Sequence, residues 1–350
     1  MKPMTNATYL YIGNADGPDI SAFSVDPQSG LLTPIGVSAI PGAREPCYSL
    51  PMTVSPDKCS LYVAIRREPW RVCRFAIDPH SGALDYRDDG ALADNTCFLS
   101  MDRTGRFLFS ASYQGDRIAI NRIGDGGEIA PPHQAIATDP KSHSILIDAR
   151  NRFALSASLG GDKMYQWRFD SQRGLLSAND APFVSVAANS GPRHFVFHPN
   201  GAFVYLLNEL DGTIWIFDYE SATGLLSKRG IVDVWPLPPG KSTVSAADIY
   251  VTPDGRFVYA TARQANTIAT LRVSENGGDL ELLSHIDTED SPRGFAIAPD
   301  GRHLYCAGQK SNRVSCYAIE PDSGRLHKFA ECATGGNPNW IEIVDLRGAP

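Results

Sequence analysis

The 350-residue chain has no basic tail and no extended run of lysine and arginine, and its formal net charge is −7. A nucleic acid is therefore not expected as its partner, because nothing would neutralise a phosphate backbone. No apolar stretch approaches the roughly 18 residues of a spanning helix. The N-terminal "MKPMTNATYLYIGNADG" also lacks the apolar centre of a signal peptide. The expectation is a cytoplasmic chain with no membrane partner. Seven cysteines, at 47, 59, 73, 97, 306, 316 and 332, form no C-x-x-C pair. They read as buried free thiols in a reducing compartment. There is no G-x-S-x-G elbow, no P-loop, no G-x-G-x-x-G and no H-E-x-x-H. "GDGGE" at 124–128 reads as a turn, since no helix follows it. No cofactor and no metal are expected. His194 and His198 resemble a ligand pair, but on a strand they would lie about 13 Å apart at ~3.3 Å per residue, too far to share one ion.

Helical periodicity is missing too. What is present is a repeat. "SPDKCSLYVA" (from 55), "DRTGRFLFSA" (102), "DARNRFALSA" (148), "HPNGAFVYLL" (198), "TPDGRFVYAT" (252) and "APDGRHLYCA" (298) are versions of one segment, and "TYLYIG" near the N-terminus matches its second half. The aligned marker falls at Tyr11, Tyr62, Phe109, Leu155, Tyr205, Tyr259 and Tyr305, at spacings of 46 to 54 residues. Each unit carries a further β-rich run and an S-G or similar turn, as in "ISAFSVDPQSGLLT" and "RVSCYAIEPDSGRL". Short runs rich in β-branched and aromatic residues, punctuated by tight turns, are strands and hairpins. Four strands per unit of this length read as a propeller blade, and one blade cannot bury both faces alone. The expected fold is all-β: a seven-bladed β-propeller of four-stranded antiparallel blades, forming a single domain over 1–350. The last unit ends in "NPNWIEIVDL" and the first begins at its second strand. The C-terminal strand around Trp340–Val344 is therefore expected to complete the blade holding Tyr9–Gly13 and close the ring.

The P-D-G and S-G turns repeat, and so belong to one face. The other face carries positions that vary, as a binding face would. Where each inner strand begins stand Leu50, Cys97, His143, Arg193, Ala247, Arg293 and Asn339. Where each second strand ends stand Ala15, Arg66, Tyr113, Leu159, Glu209, Arg263 and Gln309. These two sets surround the mouth of the central channel. Arg193 and Glu209 are neighbours on adjacent strands and suited to pair. Four arginines against one carboxylate still leave excess positive charge, which points to an anionic ligand. His194, next to Arg193, should point into the blade packing by strand alternation. The proline-rich "WPLPPGKSTVSAAD" (235–248) is a long rim connection that could offer Lys241 to a ligand's anionic tail.

"GPRHFVFHPNGAFVYLLNEL", "AADIYVTPDGRFVYATARQANTI" and "SPRGFAIAPDGRHLYCAGQKSNRVSCYAIE" resemble the propeller-type bacterial 6-phosphogluconolactonases, a lactonase family that also contains a fungal carboxymuconate-lactonising enzyme. "PMTVSPDKCSLYVAIRREPWRV" and "KSHSILID" fit the same family, so the resemblance covers nearly the whole chain. It implies a seven-bladed propeller acting in carbohydrate metabolism, in the pentose phosphate pathway, and a site containing His143, Arg193, Glu209 and Arg263. Tyr250 departs from the family, which has histidine there.

The expected activity is hydrolysis of a small anionic sugar-acid lactone, first 6-phosphogluconolactone. Glu209 or His143 would take a proton from water, with Glu209 preferred and His143 placing substrate or protonating the leaving oxygen. Arg193 and Arg263 would hold the carbonyl oxygen as it gains charge. Arg66, Arg293, Gln309, Asn339 and Lys241 would bind the substrate. An unphosphorylated lactone, a muconate-type cycloisomerase and a non-catalytic binding propeller are the alternatives. A monomer or weak homo-oligomer is expected.

Overall fold

A computed structural model describes residues 7–236 and 243–346. Among these the chain forms 28 strands and no helix, in seven antiparallel sheets of four. Blades 2 to 7 follow the chain in order, at 52–91, 96–137, 142–185, 192–233, 246–287 and 292–333. Blade 1 takes residues 8–39 and, as its innermost strand, Pro338–Asp345. Tyr9 pairs with Val344 and Gly13 with Trp340, so the C-terminal strand closes the ring as the repeat predicts.

Burial explains the sequence pattern strand by strand. The second strand of every blade, such as Phe203–Asn208 or Phe257–Ala262, is buried at each position because both of its faces meet a neighbouring blade. Such strands read as continuous apolar runs. The outermost strands alternate, as in Leu84–Ala91, because one face meets solvent. The aromatic marker sits inside the buried strand, and its hydroxyl crosses to the next blade. Tyr11, Tyr62, Tyr205, Tyr259 and Tyr305 donate to the carbonyls of Gly82, Gly127, Gly277, Gly324 and Gly30, at 2.6–2.9 Å. The last of these spans the seam between blades 7 and 1. Gly30 cannot be another residue: its φ is +71°, and a Cβ there would stand 2.4 Å from the His303 ring.

The face opposite these turns is shaped by a recurring β-bulge. In blade 5, Pro192 pairs with Asn208 and His194 with Leu207, so Arg193 is an extra residue. The same insertion leaves Cys97, His143, Arg293 and Asn339 unpaired in blades 3, 4, 7 and 1. In blade 6 it falls at Ala247 and Asp248, between the pairs Ala246–Ala262 and Ile249–Ala260. Two residues upstream the backbone is left-handed, at Lys141, Gly191, Ser245, Ser291 and Asn337. The carbonyls there accept the N–H groups of Leu159, Glu209, Arg263, Gln309 and Ala15. The bulge residue and the residue ending the second strand are thereby locked together in these five blades.

A bulge re-aims side chains and breaks strand alternation. This corrects the expectation for His194. It does not enter the blade packing but faces the channel, where its ring meets Phe98 of blade 3 at 5.1 Å and Trp340 of blade 1 at 6.2 Å. Phe98 and Trp340 also meet each other, at 5.4 Å. Rings from three non-adjacent blades close the channel beneath its mouth. Of the seven cysteines, all free, five are buried as expected; Cys59 is exposed and Cys332 half-buried.

Candidate active site

Above that floor lies a cavity of about 280 Å³ lined by Arg66, Cys97, Tyr113, His143, Arg193, Glu209, Arg263 and Arg293, together with Tyr48 and Gln114. The structure thus brings together six of the nine site residues expected from sequence. Gln309 lies outside this cavity. It lines a wider, shallower hollow of about 460 Å³ beside it, with Ser245, Asn266, Ser291, Lys310 and the shared Arg263. The buried charged groups converge on the smaller cavity, which makes it the candidate site. Asn339 lines neither space. It is buried and its amide is spent on backbone, accepting from Leu50 N–H at 3.0 Å and donating to the Asn337 carbonyl at 2.7 Å. Its role is to tie blade 1 to the strand start of blade 2. Lys241 lies outside the described residues.

Glu209 is held from two sides. Arg193 Nε donates to its Oε2 at 2.8 Å, and Arg263 Nη2 stands 3.1 Å from its Oε1. Burial alone would raise its pKa, but Arg263, Arg193 and Arg293 together overcome this and hold it below the usual carboxylate value. Arg193 is among the most buried side chains of the protein, at 1% exposure. Its Nη1 also donates to the Ala247 carbonyl and lies 3.2 and 3.3 Å from the two ring nitrogens of His194. Arg263 Nε donates to the Ser245 carbonyl at 3.2 Å.

The other two arginines have no carboxylate. Arg66 donates to Asn95 Oδ1 at 2.8 Å and to Ser49 Oγ at 3.0 Å, both neutral. Arg293 has no hydrogen-bond or ion-pair partner among the described residues. Burial, then Arg193, Arg263 and Arg66, push its pKa well below the ordinary arginine value. The cavity is electrically divided: one carboxylate shared between two arginines, and beside it two arginines left uncompensated.

His143 Nδ1 is buried without a partner. Burial, then Arg193, His194 and Arg293, hold its pKa well below 6.5, so the ring is neutral at physiological pH. Burial raises the thiol pKa of Cys97 despite three nearby arginines, which disfavours its thiolate. No group of three or more His, Cys, Asp or Glu suited to a metal occurs among the described residues.

Two residues of the site escaped the sequence. Tyr48 sits on the connection between blades 1 and 2, is 54% exposed, and faces the guanidinium groups of Arg67 at 5.3 Å and Arg66 at 5.7 Å. Its loop is pinned by Cys47 N–H to the Ala15 carbonyl at 2.8 Å and by Arg67 Nε to the Pro46 carbonyl at 2.6 Å. It belongs to no repeat, so periodicity could not find it. Gln114 follows Tyr113 and accepts from Asn95 Nδ2 at 2.5 Å.

The model of the family described as "Lactonase, 7-bladed beta-propeller" matches residues 9–343. A 6-phosphogluconolactonase of Pectobacterium carotovorum is 35% identical over 96% of this chain and 98% of its own. One of Xenorhabdus nematophila is 34% identical over 96% and 99%. The solved structure of a periplasmic gluconolactonase of Pseudomonas aeruginosa superposes with a TM-score of 0.87 at 26% identity, over 97% of this chain and 99% of that one. A Bacteroides fragilis chain with 23% identity and the same TM-score, covering 99% of this chain and all of its own, shares the fold. With seven blades closed on themselves and its inner-strand bulges turned into one arginine-rich cavity, the chain belongs to the lactonase family of seven-bladed β-propellers.

Proposed function

We propose that the chain hydrolyses a sugar-acid lactone, first 6-phosphogluconolactone to 6-phosphogluconate. The observation that carries this reading is the pair of arginines, Arg66 and Arg293, left without a carboxylate next to a neutral histidine and a paired glutamate. A distal phosphate is what two uncompensated guanidinium groups suit, because a fork of N–H donors matches its oxygens. The relatives named above carry this activity in their names.

The geometry favours His143 over Glu209 for proton transfer. Both Glu209 oxygens face arginines, and the carboxylate is held in its ionised form. It serves as the anchor that aligns Arg193 and Arg263. His143 is neutral and has an unpartnered nitrogen. In the proposed reaction His143 takes a proton from water as the water oxygen bonds to the lactone carbonyl carbon. Arg193 and Arg263 hold the resulting oxyanion. Its collapse breaks the bond from that carbon to the ring oxygen, which recovers the proton from His143. A bound phosphate would offset the cations that depress His143 and make it a stronger base in the complex. Tyr48 offers its ring face to the C–H face of the sugar.

The cytoplasmic placement rests on the free thiols and on a phosphorylated substrate; no helix among the described residues is long and apolar enough to cross a membrane. The test is turnover of 6-phosphogluconolactone, corrected for spontaneous opening, beside turnover of unphosphorylated gluconolactone. A kcat/KM favouring the phosphorylated lactone is expected. Equal values would favour the unphosphorylated alternative, and no acceleration of either would favour a non-catalytic propeller.

A further inference from the structure

The layer beneath the cavity contains a carboxylate that the reaction above does not use. Asp248 follows Ala247 in the bulge of blade 6, just as His194 follows Arg193 in blade 5. Asp248 Oδ1 lies 2.7 Å from His194 Nδ1. The nitrogens of that same ring lie 3.2 and 3.3 Å from Arg193 Nη1, which also donates to the Ala247 carbonyl. The blade 6 bulge therefore grips Arg193 twice, directly through a carbonyl and indirectly through Asp248 and His194. Neither Asp248 nor His194 lines the cavity.

We propose that Asp248 is a positioning residue for Arg193, acting through His194, and that a proton gained or lost by Asp248 changes how Arg193 is presented to the substrate. The inference rests on the hydrolase reading for its effect on rate, but not for its effect on His194. A guanidinium lies against an imidazole only while the ring is neutral, and burial followed by Arg193, Arg293 and Arg263 keeps His194 so. A neutral ring carries one N–H. When Asp248 is ionised, Nδ1–H points to it and Nε2 is left as an acceptor on the ring that Arg193 touches. When Asp248 is protonated, its O–H donates to Nδ1 and the ring proton moves to Nε2. Arg193 Nη1, close to both ring nitrogens, then lies against a ring whose proton has moved from the Asp248 side to Nε2.

This exchange falls in the neutral range. Burial pushes the pKa of Asp248 up to about 7, against Arg193, the N–H groups of Ile249 and Phe295, and Arg293. The other titratable groups around it are Tyr250 on its own strand, Cys306 of blade 7 and Glu342 of blade 1. Glu342, raised by burial to about 8 although Trp340 Nε1 donates to it at 2.9 Å, also lies outside the cavity and feels the charge of Asp248. Burial holds the tyrosine and the thiol neutral. An acid limb near pH 7 would thus come from a residue outside the cavity. In the free enzyme, whose groups kcat/KM reports, His143 and Glu209 are both held lower and do not supply it.

The experiment joins kinetics to histidine ¹⁵N spectroscopy. Wild-type kcat/KM, followed from pH 5.5 to 8.5, should fall as pH drops through about 7. The His194 nitrogens should exchange tautomer over the same interval. Asp248→Asn keeps the shape and an acceptor for Nδ1–H but cannot ionise. It should lose the limb, with kcat/KM at pH 8 reduced by about 3- to 10-fold. A limb that persists in Asp248→Asn, or a wild-type His194 that keeps one tautomer across the interval, would overturn the proposal. If Asp248→Asn fails to fold, the wild-type tautomer titration decides alone. A wild-type protein that opens no lactone would sink the hydrolase reading, while that titration would still decide whether Asp248 governs His194.

Discussion

Glu209→Gln separates the two roles open to this carboxylate, anchor and base. In the native protein its two oxygens face Arg193 at 2.8 Å and Arg263 at 3.1 Å, and Arg193 is almost wholly buried. Glutamine keeps the size and one acceptor oxygen, but turns an N–H₂ group toward the other guanidinium. It also leaves the four arginines of the cavity with no carboxylate among its lining residues. Breaking a buried pair costs about 3–5 kcal/mol, and the retained acceptor places this change near or below the lower end, at about 2–3 kcal/mol. Chemical denaturation of both proteins at pH 7.5 measures it. Because the folded pKa of Glu209 is depressed, its stabilisation is present above the unfolded value near 4.5 and lost as pH falls through the folded one. The deficit of the variant should therefore be flat between pH 6 and 8 and shrink in stronger acid. Inorganic phosphate should restore part of it, because an anion bound by the same arginines favours the folded state. Turnover should fall about 10²-fold through misplaced oxyanion donors. Turnover abolished with stability untouched would refute the anchor role and return Glu209 to the role of base.

Three further outcomes follow from the same structure. Tyr305→Phe removes the donor to the Gly30 carbonyl at the seam between blades 7 and 1 and should cost about 1–3 kcal/mol in denaturant, with kinetics unchanged. Phosphate should raise the pKa of His143 toward its ordinary value, seen by NMR titration, because it offsets Arg193 and Arg293; an unmoved value would place the anion elsewhere. Tyr48→Ala should raise KM about 10-fold with little change in kcat, the loss expected for one aromatic stacking contact, and an unchanged KM would remove Tyr48 from the binding surface.

The repeat markers made the fold legible because each blade meets its neighbours through the same buried strand, so the same residue types recur. Ring closure by Trp340–Val344 followed from a first unit lacking a strand that the last one supplies. The rim positions were legible for a related reason: the bulge residue and its partner occupy the same place in every blade that has the bulge. Alternation failed at His194, since a bulge is a backbone event with no fixed residue type. With the bulge known, Asp248 stands out by its equivalence to His194. Tyr48 lies on a connection of no fixed length or pattern, and no periodicity reaches it. Asn339 occupies a rim position yet serves the backbone, because blade 1 is where the two chain ends meet and amides must be satisfied locally.

The central claim is that the two uncompensated arginines hold a phosphate remote from the reacting carbonyl. Its most direct measurement is kcat/KM of Arg66→Ala and Arg293→Ala on 6-phosphogluconolactone and on gluconolactone, side by side. A charge-assisted contact is worth about 1.5–3 kcal/mol. Each variant should therefore lose about 10- to 100-fold on the phosphorylated lactone. On the unphosphorylated one it should change by less than ~3-fold, the contact being absent there. Equal losses on both lactones, or none on either, would contradict the account.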